Sequence, residues 1–326
     1  MSDGRLEALC EALTAAFGQA RVRRDVPLAP FTTLKVGGPA DVFVEPRSSD
    51  EIATAVRLAA AHGVAVTALG GGSNVLVADA GVRGLVLRPR GGEIQHEGAG
   101  AVRADAAVTI NGLVRWLISR GLAGLEAWAG TPGTVGGGVY GNAHWGGRLL
   151  SEHIVSVRLI SKAGTESEAS VEEMGFGYDR SRLQNTGELL LSALFATRPG
   201  DPVAMREDAR RSLAYRKRTQ PLASPSAGCI FQNPGVDVPL PDVPRSAGAL
   251  VDRSGLKGAR EGGALVSPTH ANFIVNTGTA SAADIRVLIE RCRDAVRTRY
   301  GVELADEIVY LGFTPEGGGL RVHSGD

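Results

Sequence analysis

Cysteine is scarce in this chain: Cys10, Cys229 and Cys292 are the three present among 326 residues. An odd number, far apart and without metal-ligand spacing, supplies neither a disulfide framework nor a zinc site, and it suits a reducing compartment. An excess charge of either sign is also missing. Lysine plus arginine equals aspartate plus glutamate at 35 each, so no field argues for nucleic acid or an anionic membrane. No apolar run approaches the ~20 residues that span a bilayer, and the charged stretch Met1 to Ala20 reads as an amphipathic helix rather than a secretory signal. Internal repeats and low-complexity linkers are absent. These absences predict a cytoplasmic protein with no metal, no nucleic-acid or membrane partner, and no obligate protein partner.

Glycine, by contrast, is abundant at 44 residues, much of it clustered. A chain of this length exceeds one ordinary core, so two or three subdomains are expected. Leu6, Leu9, Cys10, Leu13 and Phe17 recur at helical spacing. Arg21 to Thr33, with Pro27 and Pro30, reads as irregular, and Asp41 to Glu45 as a short strand. Ser49 is the expected cap of a helix from Asp50 to His62 that ends at Gly63. A strand Val64–Leu69 then enters Gly70-Gly71-Gly72-Ser73-Asn74, followed by strand-like Val75–Val77. Residues 1–90 thus form one α/β unit. A second, 91–199, holds a helix Asn111–Arg120 and strands Ile154–Ser161 and Glu188–Thr197. A third, 200–326, opens with a helix Pro202–Lys217. It closes with a helix capped at Ser281-Ala282-Ala283-Asp284 and a strand Glu307–Leu311.

The Gly70–Asn74 loop follows a strand, where α/β proteins bind phosphates. It lacks the lysine of a Walker loop and the spacing of a Rossmann fingerprint. Its successive N–H groups can form an anion nest with Ser73 and Asn74 as extra donors, or the loop is a tight turn. A second cluster runs Gly130-Thr131-Pro132-Gly133-Thr134-Val135-Gly136-Gly137-Gly138; two such segments could surround one dinucleotide, or be unrelated turns. In Ser226-Ala227-Gly228-Cys229-Ile230-Phe231-Gln232-Asn233-Pro234, Cys229 is either an accessible thiol able to give a proton or a buried, inert one. Gly255-Leu256-Lys257-Gly258 and His270-Ala271-Asn272-Phe273-Ile274-Val275-Asn276 follow.

Taken in order, these five motifs resemble the signature of UDP-N-acetylenolpyruvoylglucosamine reductases, over about residues 30 to 312. The resemblance implies an α+β, vanillyl-alcohol-oxidase-type FAD-binding fold of two subdomains plus a C-terminal substrate-binding domain. It implies non-covalent FAD, with NADPH as co-substrate and a UDP-sugar as substrate. NADPH first reduces the flavin; the enolpyruvyl sugar then accepts hydride at its methylene carbon, and the neighbouring carbon must be protonated. Gly70, Gly71, Gly72, Ser73, Asn74, Gly130, Gly133, Thr134, Gly136 and Gly137 are the implied cofactor-binding residues.

The family's proton donor is a serine, and Cys229 stands at that position. A thiol's ordinary pKa of about 8.5 lies nearer neutrality than a hydroxyl's, and titration of this thiol is expected to shape the alkaline limb of activity. Glu307, in Leu304-Ala305-Asp306-Glu307-Ile308, matches the family glutamate that hydrogen-bonds the developing enolate, with Glu303 and Asp306 as neighbours. The family arginine follows a tyrosine. Here Phe176-Gly177-Tyr178-Asp179-Arg180-Ser181-Arg182 puts Asp179 at that position, so Arg180 is the third expected catalytic residue and Arg182 its competitor. Gly141-Asn142-Ala143-His144 departs from the usual Met-Asn-Ala-Gly. Tyr178, Asn233 and Lys257 are the expected substrate contacts, with Lys217 and Arg218 as weaker ones. Two other function classes fit the same residues: a flavin oxidase or dehydrogenase with flavin attached at His144, or a non-catalytic binder.

Overall fold

The computed structural model describes residues 3–235 and 245–313. Met1, Ser2 and the stretches 236–244 and 314–326 of the third segment lie outside them. The first lobe is a four-stranded sheet in the order Val22–Pro27, Pro39–Val44, Val82–Leu87, Val66–Ala68. The first pair is antiparallel and the others parallel. Helices Asp3–Phe17 and Ser49–Ala61 bury Leu9, Leu13, Ile52 and Val56 against Val42, Leu85 and Leu87.

Two local expectations are corrected here. The cap of the second helix is Ser48, whose side chain accepts from the Glu51 amide. Ser49 falls inside the first turn, and its hydroxyl reaches Asp105 Oδ1 (3.0 Å) and the Leu191 carbonyl (2.9 Å). With two adjacent serines able to cap, the one with partners in the next lobe is drawn inward. Val22–Pro27, read as irregular, is an edge strand. Its pattern is masked because only Val22 is buried, while Arg23 lies over the Phe43 ring (4.7 Å) and pairs with Glu45 (2.8 Å). Gly63 ends the second helix in the left-handed conformation, φ 62°, as expected.

The second lobe is a five-stranded antiparallel sheet in the order Glu166–Ser170, Ile154–Ile160, Leu189–Ala196, Ala101–Asp105, Ile94–Gly98. Helix Ile110–Ser119 packs Leu113, Val114 and Leu117 into a core around the fully buried Trp128. The Val135-Gly136-Gly137-Gly138-Val139-Tyr140 run, read as part of a turn, is a short helix. Glycine disfavours helix intrinsically, but packing overrides it. A Cβ on Gly138 would meet Leu150 Cδ2 at 3.0 Å and Ile110 Cδ1 at 3.2 Å, so a larger residue would press on both side chains. Helix Pro202–Thr219 follows in sequence, yet its Met205 and Ala209 pack on this second core.

The remaining chain forms a three-stranded sheet, Arg260–Glu261, Ala264–Val266 and Ile274–Asn276, under helices Ala247–Arg253 and Ala282–Tyr300. The long helix opens with the expected Ser281/Asp284 capping box. Its first amides also donate to the Asp79 carboxylate of the first lobe, from Ala282 (2.8 Å) and Ala283 (3.0 Å). The last strand, Val309–Leu311, returns to pair in parallel with Val75–Val77, directly after the first glycine loop. That return sets Glu307 beside Asn74. No helix among the described residues is long and apolar enough to cross a membrane.

Candidate active site

The two glycine clusters meet. A Cβ on Gly71 would lie 2.7 Å from Gly133 Cα, one on Gly70 2.7 Å from Thr134 Oγ1, and one on Gly133, at φ 101°, 2.9 Å from Ser73 Oγ. Backbone thus meets backbone at Gly71 and Gly133, and the Thr134 and Ser73 hydroxyls occupy the space beside Gly70 and Gly133. Beside this contact a cavity of about 530 Å³ is lined by Gly70, Gly71, Arg88, Thr109, Trp116 and Thr134. Thr109, on the cavity wall, caps the helix Ile110–Ser119 by accepting from the Gly112 amide (3.0 Å), and the Ile110 amide donates to the Gly133 carbonyl (3.1 Å), which ties this helix to the second glycine cluster. Bare backbone, an arginine and an aromatic face suit the phosphates and flat rings of a flavin dinucleotide.

Members of the two clusters do different things. Thr134 caps the Val135–Tyr140 turn, and a Cβ on Gly136 would press on the Ala106 carbonyl at 3.2 Å. Gly137 donates its amide to Thr134 Oγ1 at 3.3 Å. Gly72 turns inward at φ 65° with its carbonyl accepting from the Thr33 amide (2.9 Å). Gly130, at φ 83°, gives its amide to Asn111 Oδ1 (2.6 Å). Asn74 ties the cradle to the last strand: its side-chain amide donates to the Glu307 carbonyl (3.0 Å), and its own carbonyl accepts from Val309 (2.9 Å).

Glu307 is joined to the cysteine segment through the backbone, its amide donating to the Ile230 carbonyl (2.8 Å). Asn272 anchors that segment, bonding Phe231 N (2.9 Å) and Phe231 O (2.8 Å) with its side chain. Burial pushes the Cys229 thiol well above its ordinary range, and the Glu307 and Asp179 charges push it further. With its pKa raised in this way, the thiol is expected to contribute less to the alkaline limb than an ordinary cysteine would. Burial, reinforced by Asp179 and opposed by His144, lifts Glu307 to about 8.

The Tyr178 segment joins them from the second lobe. Gly177 and Arg180 bond to each other across a tight reversal (3.0 and 3.2 Å), with Asp179 left-handed at φ 52°. Asn142 holds this reversal, its side-chain amide donating to the Gly177 carbonyl (2.8 Å). The Asp179 carboxylate turns in to His144 Nδ1 at 2.8 Å. Reactive atoms of His144, Asp179 and Glu307 lie within 4.8 Å of one another. The Tyr178 ring packs on His144, 4.6 Å between centroids, and its hydroxyl stands 3.5 Å from Asn233 Nδ2.

Of the residues expected from sequence, the fold thus gathers Cys229, Glu307, Tyr178 and Asn233. Arg180 is exposed, its guanidinium folded against Gly177, because the reversal that turns Asp179 inward turns the next residue out. Arg182 is bound to Glu188 through Nε and Nη2, both at 3.0 Å. Lys257 is exposed and paired with Asp252 (2.7 Å). Sequence reading missed Arg216. It is 5% exposed, lies 3.4 Å over the Trp145 ring and donates to Thr131 Oγ1 (2.7 Å). Burial lowers its pKa to about 10. A helical signal could have found it: Met205, Ala209, Ser212 and Arg216 recur at spacings of four, three and four, on the face that packs inward.

The raised Glu307 pKa has a stability consequence. The folded protein holds this proton up to about pH 8, whereas an unfolded glutamate releases it near pH 4.3. Between those values the native state binds more protons, so stability falls with rising pH by at most ~1.4 kcal/mol per unit for this group. Glu307→Gln is expected to flatten that slope. Its urea midpoint should match wild type near pH 4.5 and exceed it at pH 8; equal midpoints at both would show that the carboxyl ionises freely.

The FAD binding domain family matches residues 40–170, across the cradle, which defines the chain as a flavoprotein-type α+β fold. The family described as UDP-N-acetylenolpyruvoylglucosamine reductase, C-terminal domain, matches residues 220–311. UDP-N-acetylenolpyruvoylglucosamine reductase 2 of Symbiobacterium thermophilum is 39% identical over 297 residues, 90% of this chain and 94% of the relative. The Bacillus subtilis reductase is 38% identical over 90% of this chain and 94% of its own length. The crystal structure of the Thermus caldophilus reductase superposes with a TM-score of 0.75 at 33% identity, covering 89% of this chain and 99% of that one. The chain belongs to the UDP-N-acetylenolpyruvoylglucosamine reductase family.

Proposed function

We propose that this protein reduces UDP-N-acetylglucosamine enolpyruvate to UDP-N-acetylmuramate with NADPH, a step of peptidoglycan precursor synthesis. It would act in the cytoplasm without nucleic acid, membrane or an obligate protein partner. Bound non-covalently in the glycine cradle, FAD would carry hydride from NADPH to the enolpyruvyl methylene carbon. Residues 1–90 and 91–199 supply the two sides of that cradle, and 200–326 the UDP-sugar domain. The chain's own task is then to hold the sugar, bear the charge that develops beside its carboxylate, and deliver one proton. Tyr178, Asn233 and Lys257 are assigned to the sugar nucleotide. Cys229 gives its Sγ proton to the carbon next to the carboxylate, and protonated Glu307 donates a hydrogen bond to the enolate oxygen.

One observation supports this reading above the rest. Two proton-bearing side chains from distant segments, Cys229 and Glu307, are joined by the Glu307–Ile230 backbone bond and fixed to the glycine loop by Asn74. Acidic groups whose pKa values are raised by their surroundings, next to a dinucleotide cradle, suit the protonation of a carbon. The cofactor assignment is tested by denaturation. FAD should be released in about one equivalent per chain, since a cradle of glycine amides would hold its pyrophosphate without a covalent bond. Yellow colour remaining on the chain would point instead to an oxidase-like protein with flavin attached at His144.

A further inference from the structure

We propose that His144, oriented by Asp179, is the cation that faces the substrate carboxylate and bears the charge of the enolate. The inference rests on the reductase reading and names a residue for a role that the site otherwise leaves unfilled. Hydride arriving at the methylene carbon places negative charge on the adjacent carbon and its carboxylate. A water-poor site must meet that charge with a positive group already in place. The arginines near the Tyr178 reversal do not supply it, since Arg180 is exposed and Arg182 is bound to Glu188. Arg216 is held to Thr131 under the Trp145 ring, as part of the glycine-loop wall.

His144 has the geometry. Its Nδ1 meets Asp179 Oδ1 at 2.8 Å, which fixes the ring and leaves Nε2 on the other side, 3.4 Å from the Tyr178 hydroxyl; as an imidazolium the ring donates from both nitrogens. The ring is partly exposed at 28%, whereas the Asp179 side chain is 8% exposed. Among the described residues the buried Asp179 Oδ2 has no hydrogen-bond partner, and an acceptor of this kind is satisfied by a water, a ligand donor or a neighbouring acid. The strained φ of 52° at Asp179 is the conformation that brings its carboxylate in and sends Arg180 out. The charged and titratable groups around the ring are Asp179, Glu307, Arg216 and Tyr178. The Asp179 bond is the largest influence and favours the imidazolium; burial and Arg216 oppose it, and Glu307 assists once ionised. Asp179 acts through His144 and is a positioning residue.

FAD-loaded His144→Gln, Asp179→Asn and, for comparison, Arg180→Ala are reduced anaerobically with NADPH and mixed with UDP-N-acetylglucosamine enolpyruvate. His144→Gln is expected to slow flavin reoxidation by about 10²-fold, the scale of a lost charge-stabilising donor, with NADPH reduction retained. Arg180→Ala should reoxidise at the wild-type rate. Independently of turnover, histidine ¹³Cε1 resonances report the His144 titration: above its ordinary value in wild type, and lowered by Asp179→Asn. Wild-type reoxidation in His144→Gln, an unmoved His144 titration in Asp179→Asn, or activity abolished by chelation and restored by a divalent cation would each overturn the assignment. If the wild-type protein itself never reoxidises with the sugar, the reductase reading fails rather than this inference alone.

Discussion

Cys229→Ala is expected to leave NADPH reduction of the bound flavin near wild type and to slow reoxidation by the enolpyruvyl sugar by about 10²-fold or more, the scale of general-acid catalysis. The first half needs no proton from the chain. The second needs one at a carbon, and burial raises the pKa of the Cys229 thiol that would give it. Cys229→Ser should recover part of the rate, because a hydroxyl carries the same proton. The alkaline limb of reoxidation should persist in Cys229→Ser. It belongs to groups that titrate lower than this thiol, with Glu307 at about 8 the foremost; above that value its donated hydrogen bond is lost. A buried structural cysteine would behave differently, lowering stability on truncation while leaving the two half-reactions equally fast in the folded protein. Stopped-flow rates for both halves in folded Cys229→Ala separate these outcomes.

Gly71→Asp is expected to abolish flavin binding. A Cβ at this position would sit 2.7 Å from Gly133 Cα, so even alanine forces the two loops apart. A carboxylate adds repulsion against a pyrophosphate at that same junction. The effect should be larger than for a substitution at Gly137, where the nearest group to an added Cβ is Thr134 Oγ1 at 3.8 Å. Flavin absorbance per chain after purification, with circular dichroism to confirm folding, reads the outcome. Full occupancy in Gly71→Asp would remove the loop contact from the cofactor site.

How far the sequence alone led depends on the element. Helices with a strong apolar face were legible, as Ile110–Ser119 shows, because burial repeats at the helical period. The edge strand Val22–Pro27 and the glycine-rich helix Val135–Tyr140 were not, since arginines covering a ring and glycines filling a tight packing site carry no periodic signal. Cys229 and Glu307 could be found by motif order, although their juxtaposition depends on the last strand returning to Val75–Val77. The His144–Asp179 pair spans 35 residues and arises from two separate departures from the family pattern. Read singly, each looked like a loss. Only the left-handed turn at Asp179 makes them one feature.

Anaerobic mixing of the wild-type, FAD-loaded protein with NADPH and then with UDP-N-acetylglucosamine enolpyruvate tests the central claim most directly. The account predicts that flavin absorbance is bleached by NADPH and restored by the sugar, with UDP-N-acetylmuramate formed in amounts equal to the NADPH consumed. Bleached flavin that stays reduced until oxygen is admitted, with the enolpyruvyl sugar recovered intact, would contradict it.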